Sequence, residues 1–159
     1  MPDQTKEKGF TLVEIIAVLL VMGILAVIAL TRMASTSDVD NKVQAEALKS
    51  HIRYVQLRAM NTDPQAANCN SPYGIHMSKG SYFMFKECNK DNKVILPGSE
   101  TNQVYLDNLT LSVNDKDITF DSYGRPCSDL KGDTLYTTDQ TIALGTQTIT
   151  ITKNTGFVP

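Results

Sequence analysis

Between Phe10 and Leu30 the chain reads FTLVEIIAVLLVMGILAVIAL, and Glu14 is the only charged side chain in it. A run of about 20 apolar residues is the length that crosses a bilayer core as a helix. So long a stretch leaves few choices, because in hydrocarbon the backbone must satisfy its own polar groups. The 42% hydrophobic content of the 159 residues therefore overstates what is available to a soluble core. The globular remainder begins near Thr62.

The run is too long for the apolar centre of a secretory signal, and Met33-Ala34-Ser35 is a weak exit site. We expect it to stay in the mature protein. Lys6 and Lys8 precede it, and because basic residues set topology, the N-terminus is expected in the cytoplasm and the C-terminal part in the periplasm. An exported head sits in an oxidising compartment, where two of Cys69, Cys88 and Cys127 pair and one is left over. With no CxxC and no His partners they make a poor metal site, and no metal or cofactor is expected.

After Arg32 the helical pattern continues. Val39, Val43, Ala47, Leu48, Ile52, Val55 and Ala59 recur at three- and four-residue steps with charges between them. No proline occurs from Glu7 to Asp63, so one helix is expected from near Phe10 to Met60, with fraying admitted at Ser35 to Asp38 and a stop at Asn61-Thr62-Asp63-Pro64. Beyond Pro64 the β-branched and aromatic runs Tyr73–Met77, Tyr82–Cys88, Val94–Leu96, Val104–Val113, Ile118–Phe120 and Thr148–Thr152 read as strands. Pairing Met77 with Gly80 across a two-residue loop places Cys69 opposite Cys88, with Pro72 disturbing the outer end. That register favours a Cys69–Cys88 disulfide and leaves Cys127 as the free thiol, a Cys88–Cys127 pair staying open.

The constellation that carries most weight is Lys8-Gly9-Phe10-Thr11-Leu12-Val13-Glu14 running into the apolar segment. It resembles the class III signal of type IV prepilins and type II secretion pseudopilins. The resemblance implies prepilin peptidase cleavage between Gly9 and Phe10, N-methylation of Phe10, and an assembly role for Glu14, which in a filament faces the Phe10 amine of a neighbouring subunit. Glycine at the cut suits entry of extended backbone into a protease cleft. An acid in a spanning helix calls for a partner. Many major pilins carry a proline near the end of this segment; here Ala29-Leu30-Thr31-Arg32 departs from them.

Looser patches follow: Tyr54-Val55-Gln56-Leu57-Arg58-Ala59-Met60-Asn61, then Ile118-Thr119-Phe120-Asp121 with Tyr123-Gly124-Arg125-Pro126, then Ile149-Thr150-Ile151-Thr152 before Thr155-Gly156-Phe157-Val158. They resemble minor pilins of the GspH/FimT type, and among those the ones of mannose-sensitive haemagglutinin pili. The implied fold is α+β and type IV pilin-like, a long N-terminal helical spine packed against an antiparallel β-sheet head. The implied organisation is a leader over 1–9, a transmembrane and filament-core helix over 10–31, an amphipathic continuation over 32–61 and a β-rich periplasmic head over 62–159. The implied partners are other pilins or pseudopilins, the prepilin peptidase and an inner-membrane assembly platform. The implied localisation is the bacterial inner membrane, then the pilus or pseudopilus. The alternative is a filament-tip module binding DNA or a surface.

Composition weighs against DNA. The net charge is -2 and the tail from Lys153 to Pro159 holds one Lys and no Arg. Enzyme chemistry lacks a motif too: His51 and His76 are the only imidazoles, and neither a P-loop nor a catalytic nucleophile signature is present. Asp107, Asp115, Asp117, Asp121, Asp129 and Asp133 crowd the head without EF-hand spacing and read as solvated turn residues.

Overall fold

The computed structural model describes residues 10–63 and 69–159, of which 31–38 are described as backbone only. One helix, α1 (Leu12–Met60), precedes eight strands: β1 (Tyr73–Ser78), β2 (Ser81–Lys86), β3 (Asn89–Val94), β4 (Val104–Tyr105), β5 (Lys116–Phe120), β6 (Pro126–Cys127), β7 (Gln140–Leu144) and β8 (Gln147–Ile151). The chain forms two compact units that divide between Val39 and Asp40.

In the first unit Thr11 starts the helix. Its hydroxyl accepts the Glu14 N–H at 3.3 Å while its carbonyl accepts the N–H groups of Glu14 and Ile15 at 3.1 and 3.3 Å. Thr11-Leu12-Val13-Glu14 has the spacing of a capping box, which satisfies donors the first turn otherwise leaves unpaired. Leu12–Leu30 has a mean hydropathy of 3.0 and none of it is buried. Among the described residues it is the one helix long and apolar enough to cross a membrane.

In the second unit α1 buries Ala45, Leu48, Ile52, Val55 and Ala59, at alternating steps of three and four. This stripe differs from the expected one. Val43 is 61% exposed and Ala47 also faces solvent, because each lies two residues from Ala45 and so about 160° around the helix from it. Val39 is exposed as well. The periodicity merges two apolar stripes, and one of them faces outward. At the end of α1 the Asn61 side chain donates to Leu57 O at 2.7 Å and the Thr62 hydroxyl to Arg58 O at 2.8 Å, occupying carbonyls that the last turn leaves open.

The stripe packs on the main sheet, ordered β3-β2-β1-β5-β6 with β4 also pairing β2, all antiparallel. Alternation along the strands sends Tyr73, Ile75, Met77, Tyr82, Met84, Ile118 and Phe120 into one core with the helix. A separate hairpin, β7-β8, adds Ile142, Leu144, Ile149 and Ile151 to the same core. The layout is α+β and type IV pilin-like, a helix packed on an antiparallel sheet.

Several strands depart from expectation. The β1-β2 register pairs Met77 with Tyr82 and Ser78 with Ser81, so the loop is Lys79-Gly80 and the expected Met77–Gly80 pair is wrong by two positions. Ser78 extends β1 because its hydroxyl bonds Ser81 Oγ and O at 3.0 and 3.1 Å. Asn89–Val94 forms β3 ahead of the expected Val94–Leu96, because Glu87 and Cys88, at φ 58° and 56°, make a two-residue turn with both residues left-handed. Val104–Val113 shrinks to β4 and a bridge at Leu111, broken where Asn108 takes φ 57°. β6 and β7 fall where no strand is expected, since Pro126 and the run Gln140-Thr141-Ile142-Ala143-Leu144 carry a diluted β-branched signal.

Candidate functional site

At the N-terminal site the expected cleavage position, Gly9, lies outside the described residues. Phe10 is 79% exposed and precedes the cap. Glu14 is one turn along, its backbone held by Thr11, and its side chain has no hydrogen bond or ion pair among the described residues. A carboxylate in the first turn is favoured by the helix dipole. Among the described residues nothing compensates its charge, and a charge on an apolar helix is costly in hydrocarbon until a cation meets it.

Cys69 and Cys88 form a disulfide with their Cα atoms 6.5 Å apart. The ladder does not place them opposite each other. The shifted register ends with the Glu87 N–H on Pro72 O at 2.8 Å, and the left-handed turn at Glu87-Cys88 then swings Cys88 to meet Cys69. Cys127 is a free, buried thiol, and burial, the largest influence on it, pushes its pKa up. Such a thiol is a poor nucleophile.

The looser sequence patches converge on one corner of the head. Gln56 Nε2 donates to Gly124 O at 2.8 Å and to Thr155 O at 2.7 Å, and Arg53 donates to Val158 O through Nε and Nη2 at 3.1 and 2.8 Å. Asp121 accepts the N–H groups of Tyr123 and Arg125 at 3.0 and 2.8 Å, and its other oxygen takes the Arg125 guanidinium. Gly156, at φ 64°, leaves no room for a Cβ, which would strike Gly124 O and lie 2.6 Å from Gln56 Nε2. The corner ties helix, turn and C-terminus together, and its polar groups are spent on one another.

Both histidines are engaged. His51 bridges the Tyr82 hydroxyl at 2.9 Å and Pro97 O at 3.0 Å. His76 sits 2.7 Å from Asp117 and 3.7 Å from Asp115, and Lys90 takes the second Asp117 oxygen at 2.9 Å. Neither ring is bonded to a serine or cysteine among the described residues. The remaining acids serve turns: Asp129 accepts N–H groups of Lys131, Asp133 and Thr134, and Asp133 accepts from Asn70. Asp107 is tied through its backbone to Gln44. No group of three or more metal-ligating side chains comes together among the described residues.

Residues 4–30 match the family described as the prokaryotic N-terminal methylation motif. The match covers the end of the leader, the Gly9-Phe10 boundary, Glu14 and the apolar helix, and it marks a type IV pilin-like prepilin N-terminus. Neither the curated proteins nor the solved structures contain a match to the chain. The N-terminal match supports a pilin-like or pseudopilin-like subunit in general terms, the α+β layout is consistent with it, and the apolar helix fits membrane anchoring.

Proposed function

We propose that this chain is a minor pilin or minor pseudopilin that joins or primes a type IV pilus, of the mannose-sensitive haemagglutinin kind, or a type II secretion pseudopilus. The observation that carries the reading is Glu14, an acid with no partner among the described residues, four residues beyond Phe10 at the head of an exposed apolar helix. Cleavage after Gly9 removes the charged leader over 1–9 and leaves a free amine on Phe10, which the peptidase methylates. That amine supplies a cation for Glu14.

A charged side chain costs about 2.5–3.5 kcal/mol at the centre of a spanning helix and less near the interface. Pairing with the Phe10 amine of a neighbour offsets this, because the attraction strengthens as water leaves. Residues 10–31 then serve first as inner-membrane anchor and afterwards as filament core, 32–61 continue the spine, and 62–159 form the periplasmic head. Gly23 and Ala26 give the apolar helix small positions at which other helices approach closely. Val43, Ala47 and Leu57 add an exposed apolar side to α1 in the head unit.

Changing Glu14 to Ala tests this. The variant is expected to accumulate in the membrane, processed, and to be missing from sheared filaments. Incorporation at the unmodified level would remove the proposed pairing.

A further inference from the structure

The sheet edges are treated unequally. The β3 edge carries Asn89, Lys90, Asp91, Asn92 and Lys93, charges that discourage pairing with another chain. β4 and β6 are two residues long, and β6 begins at Pro126. The outer edge of β7 is occupied: Ser112 N–H donates to Ala143 O at 2.8 Å and the Ser112 hydroxyl accepts Ala143 N–H at 2.9 Å. β8 has no such cover.

Register fixes which of its groups point outward. Leu144 and Gln147 close a two-residue loop with Gly145 at φ 57°, so they form a hydrogen-bonded pair. Bonded and non-bonded pairs alternate in an antiparallel ladder, so Gln147, Ile149 and Ile151 bond to β7 while Thr148 and Thr150 turn N–H and C=O away from it. Thr152 is next in that series, and its outward groups are taken by the chain's own C-terminus, through Thr152 N–H to Phe157 O at 3.0 Å and Gly156 N–H to Thr152 O at 2.7 Å. The outward backbone of Thr148 and Thr150 has no partner among the described residues. No charged residue occurs from Gln140 to Thr152, and uncharged, β-branched edges are those that accept another strand.

We propose that the β8 edge is a docking surface for β8 of a second copy of this chain, paired antiparallel with Ile149 on a two-fold axis. An antiparallel edge is its own complement. In this register Thr148 of each copy lies opposite Thr150 of the other, and the two open N–H and two open C=O groups on each chain are all satisfied. Cross-strand threonine pairs and the absence of like charges favour the same register. A strand this short pairs weakly in dilute solution; chains held in one membrane meet at a much higher effective concentration. The inference concerns the head's edge and stands independently of the filament reading.

The test uses full-length chain in detergent micelles, with Thr148→Cys and Thr150→Cys prepared separately. Mild oxidation of the two mixed is expected to give cross-linked dimer at least tenfold above either alone, and Asn92→Cys on the β3 edge is expected to give none. Adding Thr150→Lys to the Thr148→Cys chain and Thr148→Lys to the Thr150→Cys chain sets two lysines opposite each other beside the cysteine pair and is expected to abolish the cross-link with thermal unfolding unchanged. Thr150→Pro in the Thr148→Cys chain, which removes an outward N–H and leaves the β7 ladder intact, is expected to abolish cross-linking to the Thr150→Cys chain as well. Equal cross-linking at all three cysteine positions, a cross-link that persists in the lysine-bearing pair, or cross-links only to a different protein would overturn the proposal.

Discussion

At Gly74 the outer face of the sheet is built around a missing side chain. A Cβ there would collide with the Phe85 ring and lie 2.8 Å from Thr119 Cγ2, and Phe85 is fully buried. Gly74→Ala is expected to destabilise the head by about 1–3 kcal/mol through overpacking, seen as a lower urea midpoint; an unchanged midpoint would mean the ring can shift. Asp129 is governed by its turn. Burial raises its pKa, but the N–H groups of Thr134, Asp133 and Lys131 outweigh that and hold it below the ordinary carboxylate range. A depressed pKa stabilises the fold above the unfolded value of about 4 and loses that contribution as pH falls through the folded one. Wild-type stability should therefore fall below about pH 4 more steeply than that of Asp129→Asn, and parallel pH profiles would contradict this account. Neither residue announces its role in sequence: Gly74 sits inside a convincing strand, and Asp129 is one acid among six.

Elements are legible in proportion to how local their determinants are. The helix and its stop at Asn61 follow from periodicity and the absence of proline. Its buried stripe does not, because apolar residues on opposite sides recur at compatible spacings and only the sheet decides which side is covered. The strand at Tyr73 is readable from its β-branched and aromatic content, but its register turns on whether Ser78 belongs to strand or loop, a matter of two hydroxyl hydrogen bonds. β3 is hidden because its turn is Glu87-Cys88, where Asn-Gly would ordinarily mark left-handed conformations. The disulfide there links residues 19 apart and joins the chain after α1 to that turn. Replacing both Cys69 and Cys88 by Ser is expected to cost about 3 kcal/mol, read from urea unfolding, and a loss well under 1 kcal/mol would show that the turn holds without it.

For the whole molecule, the first thirty residues speak about function and the rest about shape. An acid in an apolar helix, a glycine before an aromatic and a charged leader are chemically conspicuous, so the N-terminal methylation motif can be read from the order of its residues alone. The head's patches at Tyr54–Asn61, Phe120–Pro126 and Thr155–Val158 look unrelated in sequence and prove to be one hydrogen-bonded corner, which only folding brings together. The central claim is that the chain is processed as a pilin, and the most direct measurement is intact mass with N-terminal analysis of protein recovered from membranes that contain an active prepilin peptidase. The account predicts a chain that starts with N-methylated Phe10; one that still starts at Met1 would contradict it and leave an ordinary membrane-anchored protein.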